Sequence, residues 1–315
     1  MQGGQPTSGN PFMPAPRSLL IAAAAAIAVV NAGCGQGSVA DSSGRIQVVA
    51  AENFWGSIAA QLGGNQVEMT SIITSPATDP HDYEPTSDDA RTMASAQLAI
   101  VNGIGYDSWA QKLLDANPTS GRIVLNVGDL LGLKTGDNPH QWYSPRAVKR
   151  VIAQITADYE RAAPKDRAYF ERRQAVFDSK SLARYTQLMN QIKRRYSGTP
   201  VGASESIFAP MAPALGLRLL TPSGFLSAIS EGTEPTPAQK TEVDRQLADR
   251  QIKVWIYNSQ NATPDVQRLN EAAKAAGIPI ATVTETPTPA GASFEAWQSR
   301  ELANLRAALA KATGR

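Results

Sequence analysis

Past residue 45 the chain alternates short apolar runs rich in β-branched residues with longer stretches whose apolar positions recur every three to four residues. The first kind suits a buried strand and the second an amphipathic helix, and their alternation predicts a parallel α/β sheet. In the first half strands are predicted at 46–51, 67–73, 98–102 and 123–127. Helices are predicted at 54–62, stopped by Gly63-Gly64, then from an N-cap at Ser87 to 96, and at 108–116, with a loop over 74–85. The second half repeats the rhythm, with strands at 201–203, 217–220, 254–258 and 278–283 and helices at 207–215, 237–249, 264–276 and 294–311. Between the halves lie a predicted helix over 145–163 and a charged stretch, 166–196, without Pro or Gly. It places Tyr185, Leu188, Met189, Ile192 and Tyr196 at helical spacing. At 1.5 Å per residue it makes a rod of about 46 Å, longer than one lobe. The expected fold class is therefore α/β. Two similar lobes (46–163 and 199–315), each a four-stranded, mainly parallel sheet flanked by helices, are joined by one long rigid helix (164–198), with a cleft between them.

The first 45 residues follow other rules. One charge, Arg17, precedes an unbroken apolar run over 19–30, too short for the ~20 residues of a bilayer-spanning helix, and the run ends in Asn31-Ala32-Gly33 before the single cysteine, Cys34. This arrangement resembles a bacterial lipoprotein signal, with 1–34 as the signal ending at an acylated Cys34 and 35–45 as a flexible leash. Asn31 stands where such signals usually carry an aliphatic residue; an ordinary cleaved signal with a free Cys34 is the alternative. The Pro-rich stretch before Arg17 suggests Met13 as the true start.

Charge and cysteine content narrow the function. With 30 Lys+Arg against 28 Asp+Glu the net charge is +2, which argues against a nucleic-acid partner. One cysteine excludes an internal disulfide and Cys-built zinc or iron–sulfur sites, so any metal must be held by His, carboxylates or carbonyls. The only two histidines share a context: Pro80-His81-Asp82-Tyr83 and Pro139-His140-Gln141-Trp142-Tyr143. Each follows a first-lobe strand, where ligands of doubly wound sheets collect, and the preceding proline stiffens the backbone presenting the imidazole. Plain loop residues are the alternative reading. The second lobe has no His or Cys, so its donors must be carboxylates. Glu205 and Glu285 sit just past strands, with Glu231, Glu234 and Asp79 as competitors. Glu205 also suits the N-terminus of a following helix. If the lobes face each other, His81, His140, Glu205 and Glu285 can converge, two from each side. Tyr83, Trp142 and Tyr143 are candidates for the pocket wall.

The ordered motifs Asp79-Pro80-His81-Asp82-Tyr83-Glu84-Pro85, Asn102-Gly103-Ile104-Gly105 leading to Trp109, and Asn138-Pro139-His140-Gln141-Trp142 resemble those of metal-binding solute receptors of ABC uptake systems. These are the zinc/manganese receptors often called cluster A-I. The long connecting helix, Glu231-Gly232-Thr233-Glu234-Pro235 and Thr284-Glu285-Thr286 are similar too, over about residues 46–311. The resemblance implies a periplasmic-type binding fold, no enzymatic activity, and capture of one divalent transition metal ion as cargo, Mn2+ or Zn2+ with Fe2+ a further option. Its metal ligands fall on His81, His140, Glu205 and Glu285, the last in place of a more usual Asp. It also implies delivery to an ABC permease and its ATPase, a lipid anchor holding a monomer to the outer face of the cell membrane, and an extracytoplasmic location.

Other classes stay in view. Two imidazoles and a carboxylate also describe metal-dependent hydrolases and non-haem iron oxygenases. Two further readings are rejected: Gly202-Ala203-Ser204-Glu205-Ser206 lies near a nucleophile elbow but lacks its final Gly, and a triad would need one of only two histidines, while Gly103-Ile104-Gly105 resembles a dinucleotide loop but has Ser108 at the third Gly and would lie outside the cell. A surface adhesin or structural lipoprotein with a metal site is the remaining alternative.

Overall fold

The strand β1 (Ile46–Glu52) is buried along nearly its whole length, as a strand covered by helices on both faces must be. In this computed structural model, which describes residues 44–78, 80 and 83–315, β1 pairs in parallel with β2 (Val67–Ile73) and β3 (Leu98–Val101), and β4 (Ile123–Asn126) lies beyond β3. The order β2-β1-β3-β4 recurs as β6-β5-β7-β8 in a second parallel sheet, built from β5 (Pro200–Ala203), β6 (Arg218–Leu219), β7 (Val254–Asn258) and β8 (Ile280–Val283). In each sheet the winding reverses between the first and third strands, and a crevice opens there at the carboxyl ends.

The helices of the first lobe are α1 (Asn53–Gly63), α2 (Ser87–Ser95), α3 (Ser108–Ala116), α4 (Val127–Leu131) and α5 (Pro145–Ala162). The connector comprises α6 (Arg167–Val176) and α7 (Ala183–Tyr196), and the second lobe carries α8 (Ser223–Ser230), α9 (Pro237–Ala248), α10 (Pro264–Ala275) and α11 (Phe294–Thr313). Alternation along the strands sorts the core. Val48 and Ala50, with Val254 and Ile256, join Trp142, Tyr159, Leu188 and Trp297 in one cluster that runs through both lobes and the connector. The opposite faces, with Val49 and Ala51 in one lobe and Trp255 in the other, build separate clusters under α2–α3 and α9–α10.

The long joining element is present over 167–196, about 45 Å, but as two α-helical pieces, α6 and α7, rather than one unbroken helix, with Leu182 in a turn between them. It passes through one wider π-type turn at Phe177–Ser181, where Ser179 Oγ donates back to the Ala175 carbonyl at 2.6 Å. Its start is tied to the first lobe, where Arg173 Nε donates to the Gln61 carbonyl at 2.9 Å. Its end runs beside α11, with Tyr185 and Phe294 ring centres 6.3 Å apart.

Three local expectations change. The helix expected at 207–215 is a short 3-10 turn at Ser206–Phe208 followed by further turns, because Pro210 and Pro213 have no N–H to continue a helical ladder. The cap of α2 is Thr86 rather than Ser87: Thr86 Oγ1 accepts from Asp89 N at 3.2 Å and Asp89 Oδ2 accepts from Thr86 N at 2.7 Å. Asp89 lies three residues past Thr86, the capping-box spacing. The strand expected at 217–220 keeps only two residues. Residues 1–43, with the expected signal, Cys34 and most of the leash, lie outside the described residues, as do Asp79, His81 and Asp82. No helix among the described residues is long and apolar enough to cross a membrane.

Candidate metal centre

His140, Glu205 and Glu285 converge. Each offers a ligand atom within 4.8 Å of those of the other two, and all three residues are buried. His140 comes from the loop between α4 and α5, Glu205 from the end of β5 and Glu285 from the end of β8. His81, the fourth expected donor, lies outside the described residues.

The imidazole is held by its own loop and by the opposite lobe. Asn138 Nδ2 donates to the Ser206 carbonyl at 2.8 Å, which fixes the amide so that Asn138 Oδ1 faces His140. That oxygen accepts from His140 N at 3.0 Å and stands 2.9 Å from His140 Nδ1, while Ser206 Oγ stands 3.2 Å away. A carbonyl oxygen accepts only, so Nδ1 carries the proton and Nε2 the lone pair, the tautomer a metal ligand needs. The loop is also held from below. Asn102 Nδ2 donates to the Pro139 carbonyl at 3.1 Å, and both oxygens of Asp107 accept backbone N–H bonds, from Asn102 at 2.7 Å and Gly103 at 2.8 Å. Burial pushes Asp107 up to about 6. It pushes Glu52, packed beside Asp107's charge, well above the ordinary carboxyl range.

Both glutamates are held by neutral donors. Asn258, fully buried at the end of β7, donates from Nδ2 to Glu205 Oε1 at 2.7 Å and to Glu285 Oε1 at 3.1 Å. Asn261 Nδ2 donates to Glu205 Oε2 at 2.7 Å, and Tyr106 Oη, from the first lobe, donates to Glu285 Oε2 at 2.8 Å. Gln260 Oε1 accepts from the backbone N–H groups of Glu285 and Thr286 at 2.6 and 3.0 Å. Two carboxylates buried together repel each other when both are ionised, and a cation bound between them relieves that repulsion in a way amide dipoles do not.

Of the three aromatic residues expected at the wall, Trp142 stands beside His140, ring centres 5.1 Å apart, and stacks on Phe54 at 4.0 Å. Tyr143 turns to the second lobe, where its Oη lies 2.5 Å from Glu301 Oε2 and 2.8 Å from the Thr284 carbonyl, one residue before Glu285. Burial pushes Glu301 up to about 7 and the Tyr143 phenol well above its ordinary value. Tyr83 packs edge-on against Trp109 and donates to Asp89 at 2.8 Å. Tyr106, Asn258 and Asn261 were not foreseen, although Tyr106 directly follows the Gly103-Ile104-Gly105 loop and Asn258 ends an apolar strand.

Two like-wound sheets that aim their carboxyl ends at one buried imidazole–carboxylate cluster define a two-lobed binding protein. Residues 48–308 match the family described as ZnuA, the zinc-uptake complex component A, periplasmic, and the chain belongs to that family. Among curated proteins, the metal ABC transporter substrate-binding lipoprotein FimA of Streptococcus parasanguinis is 26% identical over 279 residues, covering 78% of this chain and 82% of that protein. The manganese ABC transporter substrate-binding lipoprotein PsaA of Streptococcus pneumoniae is 25% identical over 275 residues, with the same coverage. Among solved structures, a Mn-bound S38A mutant of a periplasmic metal binding protein from Candidatus Liberibacter asiaticus superposes with a TM-score of 0.72 at 18% identity, over 84% of this chain and 100% of that one. The shared fold is thereby established, and family membership places the chain among substrate-binding receptors of ABC transporters rather than enzymes.

Proposed function

We propose that this chain is an extracytoplasmic receptor that captures one divalent transition metal ion between its lobes and hands it to an ABC permease driven by an ATPase. The observation that carries this reading is the convergence of His140, Glu205 and Glu285, buried and drawn from both lobes. His81 is the proposed fourth donor. Two neutral imidazoles and two carboxylates make a neutral complex with a divalent ion, and splitting them between lobes lets docking at the permease break the shell. The oxygen-rich set favours manganese as the physiological cargo, in keeping with the manganese-named relatives. Zinc still binds more tightly to most such sites in solution, so selectivity must come from geometry and supply. Acylation at Cys34 would keep a monomeric receptor at the outer face of the membrane, and its lipoprotein-named relatives support that reading.

The test is competitive titration of chelator-stripped full chain with manganese, zinc and iron. One ion per chain is expected, with His140→Ala lowering affinity by orders of magnitude while the metal-free chain keeps its circular dichroism. Absence of stoichiometric binding, or binding indifferent to His140→Ala, refutes the reading.

A further inference from the structure

Gln260 lies two residues past the end of β7, on a backbone that is already fixed. Its N–H donates to Asn258 Oδ1 at 3.0 Å, and the Ser259 N–H donates to the Val283 carbonyl at 3.1 Å. Its side-chain amide has one available orientation. Oε1 accepts from the N–H groups of Glu285 and Thr286, so Nε2, with its two donors, must face the other way. One donor stays inside the second lobe and goes to Thr286 Oγ1 at 3.0 Å. The other crosses to the first lobe and meets the carbonyl of Pro76.

Pro76 belongs to the loop between β2 and α2, five residues before His81. A tight turn sets its place, with Ala77 N donating to Ser75 Oγ at 3.2 Å and Thr78 N to the Ser75 carbonyl at 3.1 Å. The root of the loop is tied to its own lobe, where Asn53 Nδ2 donates to the Thr74 carbonyl at 3.2 Å. Thr74, Ser75 and Ala77 are exposed and lie in no helix or strand, the kind of segment that opens at low cost. One glutamine thus joins this loop, across the lobes, to the backbone that presents Glu285.

We propose that Gln260 is a positioning residue that latches the His81-bearing loop to the Glu285 end of the second lobe and thereby slows escape of the captured ion. This rests on the metal-receptor reading above. An ion held by donors from both lobes leaves when one group of donors draws away. The loop cannot swing from the second lobe without unmaking the bond between Gln260 and Pro76. An arriving ion meets the lobes before that bond closes, so the latch bears on release rather than on arrival. Gln260 acts through the backbone on either side of it and gives no ligand atom itself.

The experiment loads the full chain with manganese, mixes it rapidly with an excess of fluorescent chelator, and follows release. The association rate comes from that rate and the affinity read by equilibrium competition with the same chelator. Gln260→Glu keeps oxygens for the Glu285 and Thr286 N–H groups but has no N–H for Pro76, and its added negative charge would by itself slow the loss of a cation. Release is nevertheless expected to quicken by about 2- to 10-fold, the worth of one hydrogen bond, with association not slowed. Gln260→Met, similar in length and without N–H or oxygen, should release at least as fast. Release from Gln260→Glu at or below the wild-type rate overturns the proposal even if Gln260→Met is fast, because the contact with Glu285 would then be what matters. A change confined to association overturns it as well. If one variant does not fold, the other is judged by the same rate. A wild-type chain that binds no manganese refutes the receptor reading itself, whereas a wild type that binds and variants that release at its rate sink only the role of Gln260.

Discussion

Changing Tyr143 to Phe removes one oxygen from the buried joint between the lobes. Glu301 Oε1 keeps three donors, Thr284 N at 2.9 Å, Thr284 Oγ1 at 3.0 Å and Trp297 Nε1 at 2.7 Å, but Oε2 loses its 2.5 Å partner. A hydrogen bond to an ionised group contributes about 1.5–3 kcal/mol and one to a neutral group about 1 kcal/mol. An unfolding entropy of about 2.1 cal/mol/K per residue over about 270 residues converts the first figure to a Tm loss of about 3–5 °C and the second to about 2 °C. Which applies depends on Glu301. Burial holds its carboxyl at about 7, and the Tyr143 hydrogen bond pulls the other way, so removing that bond raises it further. A carboxyl raised in the folded state contributes its full stability below about 4.5, and that stability drains away as pH climbs through the folded value. In Tyr143→Phe the drain continues to higher pH than in the parent chain. Scanning calorimetry of the metal-free full chain should therefore show about 2 °C of destabilisation at pH 5.5 and about 3–5 °C at pH 8.5. An equal loss at both pH values, or a larger one at pH 5.5, would refute the reasoning.

Three further outcomes are expected. Glu301→Gln should flatten the parent's fall in stability between about pH 4.5 and 7, a fall of about 3 kcal/mol from this carboxyl, as read by urea titration across that range. Free manganese at about 100 times its dissociation constant should stabilise the chain by about 2.7 kcal/mol, reversibly with chelator, and His140→Ala should abolish the effect in the same thermal assay. Thr86→Ala should cost about 1 kcal/mol by unmaking the α2 cap, seen as faster hydrogen exchange at Asp89 and its neighbours, while Ser87→Ala should leave that exchange unchanged.

The fold was legible because period-2 and period-3.6 patterns rarely conflict in this chain: the strands of both sheets lie where apolar runs sit between turn residues. The misread segment, 207–215, is apolar at helical spacing, but Pro210 and Pro213 outweigh that spacing by removing two donors. At the candidate centre, His140, Glu205 and Glu285 could be proposed from position because residues that follow parallel strands share one end of a sheet. Their hydrogen-bond partners could not. Asparagines end or follow strands for several reasons, and nothing in the order of residues says that Asn258 reaches two carboxylates from strands on either side of it, or that Tyr106 crosses to the other lobe. Those contacts depend on the register and twist of packed sheets, which one-dimensional patterns do not encode.

The matching strand orders of the two sheets have a consequence for how the centre is assembled. His140 and Glu285 each follow the fourth strand of their own sheet, so they occupy equivalent stations in the two halves, whereas Glu205 follows a first strand and His81 a second. Only one pair of the proposed donors thus comes from matching positions, while the other pair follows strands of different rank in the two sheets. The like-wound sheets therefore do not make the centre symmetric: a chain rebuilt from two copies of the first lobe would offer imidazoles alone, and one rebuilt from two copies of the second lobe carboxylates alone.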